Sequence, residues 1–93
     1  FKISSIAKNA FKGNSKLEKV TVGANVTKIG ANAFSDCKKL KKITIKSKKL
    51  QSVGKNALKN IYKKAVISVP KEKKKAYKKL FNGKGQKKTV IIK

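Results

Sequence analysis

Stacked one over the other, ISSIAKNAFKGNSKLEKVTV (residues 3–22) and VTKIGANAFSDCKKLKKITI (26–45) coincide without a gap at a step of 23 residues. Ile3 falls on Val26, Ile6 on Ile29, Asn9 on Asn32, Ala10 on Ala33 and Phe11 on Phe34. Leu17, Val20, Thr21 and Val22 fall on Leu40, Ile43, Thr44 and Ile45. A third copy, LQSVGKNALKNIYKKAVISV (50–69), follows at a step of 24, with Lys64 or Ala65 meeting the leucine column. A unit this short cannot bury its own apolar side, so the copies must stack into a continuous core, which is the logic of a solenoid.

Within each unit, LEKVTV and LKKITI alternate β-branched and polar residues at the period of a half-buried strand. The NAF/NAL half predicts a short helical or 3₁₀ turn. After Pro70 the period breaks. KEKKKAYKKLF sets Ala76, Tyr77, Leu80 and Phe81 on one helical stripe, and Gly83 stands where a helix ends. The expected organisation is about three repeats over 1–70 and a cap over 71–93, with a helix at 71–81, a turn at 82–87 and a strand at 88–93. The helix is expected over the open end of the stack.

Composition removes most chemistry. The 93 residues hold 27 basic side chains, all lysine, against Glu18, Asp36 and Glu72, for a net charge of +24. With no histidine and no obvious pair of carboxylates, general acid–base catalysis has no agents. One cysteine gives neither an internal disulfide nor a CxxC metal site. GKGQ (83–86) lacks the remaining residues of a phosphate-binding loop. No catalytic residue, cofactor or metal is expected, and no apolar run is long enough to span a membrane. The start, FKISSI, reads as an excised fragment, with the cut first repeat expected to fray or to pair with another molecule.

The pattern IGANAFSDCKKLKKITI (29–45) resembles the BspA-like, Treponema-type leucine-rich repeats of bacterial surface proteins, whose unit runs approximately IGxxAFxxCxxLxxVxIP. Ile29, Gly30, Ala33, Phe34, Cys37, Leu40, Ile43 and Ile45 carry the likeness. Repeat one departs with Ala7 and Asn14, repeat three with Leu58 and Ile61. The tail VPKEKKKAYKKLF is similar to the carboxy-terminal ending of such proteins. The resemblance implies an α/β repeat fold: a right-handed leucine-rich solenoid with short parallel strands and a capping helix plus final strand. It also implies the carboxy-terminal part of an extracellular or bacterial cell-surface protein that works by adhesion or partner binding and is not an enzyme.

Individual residues read accordingly. Cys37 shares a slot with Ile61 and is expected as a small buried hydrophobe. Asp36, matched by Gly13 and Asn60, suits a turn. Asn9, Asn32 and Asn56 form a column whose side chains are expected to bond the backbone, a sugar-binding row being the alternative. Gly30 and Gly54 suit a tight corner. Tyr62 and Tyr77 are expected to pack. The candidate partner-binding residues are Lys19, Thr21, Lys42, Thr44 and Ser68, on the outward side of the strands between Val20/Val22 and Ile43/Ile45. Such a face suits a protein or an anionic polymer or glycan. An alternative purpose for the charge is a polyanion-binding module for wall polymer, sulfated glycan or, less favoured, nucleic acid.

Overall fold

The computed structural model describes residues 4–93. The match of Ile3 to Val26 therefore lies outside the described residues. The chain is a leucine-rich-repeat solenoid in which each coil has three sides. One side is a three-stranded parallel ladder of two-residue strands, β1 (Ser5–Ile6), β3 (Lys28–Ile29) and β5 (Ser52–Val53). The opposite ladder is longer: β2 (Lys19–Val22), β4 (Lys42–Ile45), β6 (Val66–Ser68) and β7 (Ile91–Ile92), in the order β2-β4-β6-β7, all parallel. Register follows the repeat, Ile6 on Ile29 on Val53 and Thr21 on Thr44 on Ser68.

The third side is not the continuous helical or 3₁₀ turn expected, although it keeps i+3→i bonds. It is a ladder of consecutive turns, with alternate N–H groups bonding within and between coils. Ala33, Ser35 and Cys37 donate back to Gly30, Asn32 and Phe34 at 3.2 Å. Asn32, Phe34 and Asp36 donate to the next coil's Lys55, Ala57 and Lys59 at 3.1, 3.0 and 2.8 Å. This path needs left-handed backbone at two places per coil, and Asn9, Asn32 and Asn56 (φ 62, 58 and 59°) provide the first. Gly13, Asp36 and Asn60 (φ 77, 63 and 58°) provide the second. Asparagine and aspartate tolerate that region better than other side chains. The asparagine column is thus explained by φ. The side chains of Asn9, Asn32 and Asn56 make no hydrogen bond among the described residues, which corrects the expected side-chain bonding, whereas at the second place Asn60 Nδ2 donates to Asp36 Oδ1.

Gly30 and Gly54 serve stacking. A Cβ on Gly30 would lie 2.4 Å from the N of Lys8, and one on Gly54 would lie 2.2 Å from the N of Ala31. The preceding coil's backbone fills the space a side chain would take. Ala7, in the same column, has no described coil before it.

The core runs up the middle. Ile29, Ala33, Phe34, Cys37, Leu40 and Ile43 of the second coil are buried, as are Val53, Ala57, Leu58, Ile61, Ala65 and Ile67 of the third. Ala65, not Lys64, enters the leucine column. Val20 is only half-buried because β2 is an edge strand, whereas burial was expected. For the same reason Phe11 stays 37% exposed, its ring stacked on Phe34 at 5.5 Å and 1°.

The tail forms one more, modified coil. A 3₁₀ turn at Lys71–Lys73 leads into α1 (Lys74–Phe81), which lies against β5 where the next short strand would run. Tyr77 and Phe81 bury one face, with the half-buried Leu80 packed beside them, but Ala76, expected on the stripe, is exposed because it lies at the edge of that contact. The Tyr77 hydroxyl donates to the Ser47 carbonyl (2.7 Å) and accepts from the Leu50 N–H (3.1 Å). Lys84 takes the place of the turn ladder, its carbonyl accepting from the Leu58 N–H at 3.0 Å. The last strand is shorter than the expected 88–93. Only Ile91–Ile92 pair with β6, because residues 87–90 form the turn that precedes this strand in every coil.

Candidate functional site

The outward face of the four-stranded ladder is built by alternation. In β2 and β4, Val20, Val22, Ile43 and Ile45 point to the core, so Lys19, Thr21, Lys42 and Thr44 must point away. Lys19 lies opposite Lys42, and Thr21 opposite Thr44 opposite Ser68. Lys19, Thr21 and Lys42 are exposed, Thr44 and Ser68 half-buried. All five candidate residues thus share one surface. The lysine column, however, ends after two members. Val66 follows Lys42, and Ile91, 51% exposed, follows Val66. The face is cationic at one end and apolar at the other. The alternation of VISV and VIIK carried that signal.

Opposed lysines in adjacent strands repel unless water or an anion intervenes. No carboxylate lies in β2, β4, β6 or β7. Among the described residues the ion pair is Lys48 Nζ to Glu72 Oε1 at 2.7 Å, away from this ladder and exposed on both sides. That contact holds the Glu72 carboxyl below its usual range and the Lys48 ammonium above its own. Asp36 Oδ1 accepts from Asn60 Nδ2 at 2.7 Å.

Cys37 is fully buried, its thiol donating to the Phe11 carbonyl at 3.0 Å. Burial pushes the thiol's pKa up, the Asn14 N–H offsets part of this, and the Asp36 charge adds to the rise. A protonated, enclosed thiol is packing material. Among the described residues no three metal-ligating side chains gather. Tyr77 is buried in the cap, and Tyr62 is half-buried with Lys41 Nζ at 5.9 Å from its ring centroid.

The geometry of stacked IGxNAF coils and a parallel ladder agrees with the family comparison. The sequence model of the BspA type leucine rich repeat region (6 copies) matches residues 2–93. The chain belongs to the BspA-type leucine-rich repeat family. No curated protein and no solved structure matches the chain significantly. The BspA-type family is a structural repeat family without catalysis, and this chain is a non-enzymatic binding scaffold. BspA-type proteins generally bind protein or polymer partners on the concave surface of the repeat. No helix among the described residues is long and apolar enough to cross a membrane.

Proposed function

We propose that this scaffold acts in adhesion at a bacterial cell surface, holding a protein or an anionic polymer or glycan against the outward face of the β2-β4-β6-β7 ladder. The observation that carries it is the placement of Lys19 over Lys42 and of Thr21, Thr44 and Ser68 in one row, with no carboxylate in these strands. Hydroxyls give directed hydrogen bonds, and the two ammonium groups supply an anionic partner with counter-charge. The test compares wild type with Lys19→Ala/Lys42→Ala, at about 150 mM salt where the Debye length is near 8 Å, against a panel of acidic glycans and acidic extracellular proteins. A loss of roughly tenfold in affinity for the bound member of the panel supports the face. Unchanged affinity places the contact elsewhere.

A second reading, the polyanion-binding module, is favoured by the unmatched charge: 27 lysines face three carboxylates. It requires affinity that falls steeply with salt, by about 0.7–0.9 in log–log slope for each phosphate neutralised. Nucleic acid fits less well, because arginine forks are absent and Tyr62 is half-buried.

A further inference from the structure

Each strand of the long ladder is entered through a β-turn, and these turns stack. Asn14 Oδ1 accepts from the N–H groups of Lys16 and Leu17 at 3.0 and 3.1 Å, closing 14–17. Leu40 donates to Cys37, Ala65 to Tyr62 and Val90 to Lys87, all at 3.0 Å, closing 37–40, 62–65 and 87–90. The last residue of each turn, Leu17, Leu40, Ala65 and Val90, packs inward. The two central residues face water. They are Ser15-Lys16, Lys38-Lys39, Lys63-Lys64 and Lys88-Thr89, and all eight are exposed.

Six lysines therefore occupy eight central positions in four layers. Adjacent layers lie about 4.8 Å apart, so the column spans roughly 14 Å, with each charge inside the Debye length of the next at physiological salt. Its neighbours offer little neutralisation. Glu18 stands beside the first turn and Asp36 beside the second, where it already accepts from Asn60. Raw repeat spacing hides this column, because Tyr62 is an extra residue that moves the third turn by one position against the second.

We infer that this turn column is a separate binding strip for a flexible linear polymer of phosphate or sulfate esters, running along the solenoid axis. It rests on the scaffold reading and adds to it a site and a partner chemistry. Lysines on short turns are mobile point charges, which suit a chain of anions without fixed bidentate geometry. The half-buried Tyr62 is the single aromatic side chain within these turns, so the strip favours a polymer without bases over single-stranded nucleic acid.

The experiment titrates the whole chain with a glycerol-phosphate teichoic acid oligomer, with heparin and with poly(dT) across a salt series. Lys38→Ala/Lys39→Ala/Lys63→Ala/Lys64→Ala is compared with Lys74→Ala/Lys75→Ala/Lys78→Ala/Lys79→Ala, which removes equal charge from exposed positions of α1. Circular dichroism checks that each variant keeps its fold, and a lysine-to-glutamine set replaces any that does not. The expected result is at least tenfold weaker binding of the teichoic acid oligomer or heparin for the turn variant only. Its log–log slope should also be shallower by about 3. Whichever of the two polymers shows that selective loss identifies phosphate or sulfate as the group bound. Equal losses in both variants, or tighter binding of poly(dT) than of both polymers, overturn the inference. Loss confined to Lys19→Ala/Lys42→Ala overturns it while leaving the strand-face reading standing.

Discussion

At the residue scale, glycine and asparagine divide two duties that look alike in sequence. Gly54 is needed because Ala31 of the preceding coil sits where a side chain would go. Gly54→Ala should destabilise by about 3 kcal/mol, read as a lower urea midpoint, since the Ala31 atoms it would strike are backbone and cannot swing aside. Asn32 is needed for its φ of 58°. Asn32→Ala should cost about 1 kcal/mol and Asn32→Gly only a few tenths. If the two asparagine variants were equally destabilised, the side chain and not the backbone would be at work. Cys37 gives a pH signature. Its thiol titrates above the usual 9.0 in the folded chain, so its contribution to stability is complete below that value. It is lost as pH rises through the folded pKa, because only the unfolded thiol ionises freely there. Wild type should weaken at alkaline pH more than Cys37→Ala does, after allowing for that variant's lower starting stability.

At the level of elements, the strands were legible because their alternation is a packing requirement: TVG-type and TIK-type segments bury every second residue. The turn ladder was not legible. Asn32 and Asp36 set its path through positive φ, and no hydrophobic period reports that. The shift caused by Tyr62 was also hidden, since Lys64 and Ala65 fit the leucine column equally well until Ala65 is seen buried. The candidate face was readable in its Thr21–Thr44–Ser68 row and in Val66 opposite Lys42, both set by the repeat steps of 23 and 24, whereas the place of Ile91 depends on the final strand's register. The cap helix is fixed by one polar anchor. Tyr77→Phe leaves its ring but strips the Ser47 carbonyl and Leu50 N–H of a shared partner. It should cost about 1–2 kcal/mol and speed hydrogen exchange at Leu50.

On the scale of the whole molecule, charge and stacking geometry act together. With a net charge of +24, added salt should raise the melting temperature by screening self-repulsion, the reverse of what a fold held by ion pairs would show. End-to-end stacking onto the first repeat would need another coil's backbone to approach Ala7 as closely as Lys8 approaches Gly30. Ala7 carries a methyl where Gly30 and Gly54 admit the backbone of a preceding coil. Wild type should therefore sediment as a monomer, and Ala7→Gly at high salt is the variant in which end-to-end association should first emerge. The most direct test of the scaffold reading maps a bound partner residue by residue, using amide chemical shifts of the labelled chain with the acidic protein that binds it. Perturbations are expected to concentrate at Lys19, Thr21, Lys42, Thr44 and Ser68, with α1 unmoved. Perturbations centred on α1, or spread evenly over every lysine, would contradict that reading.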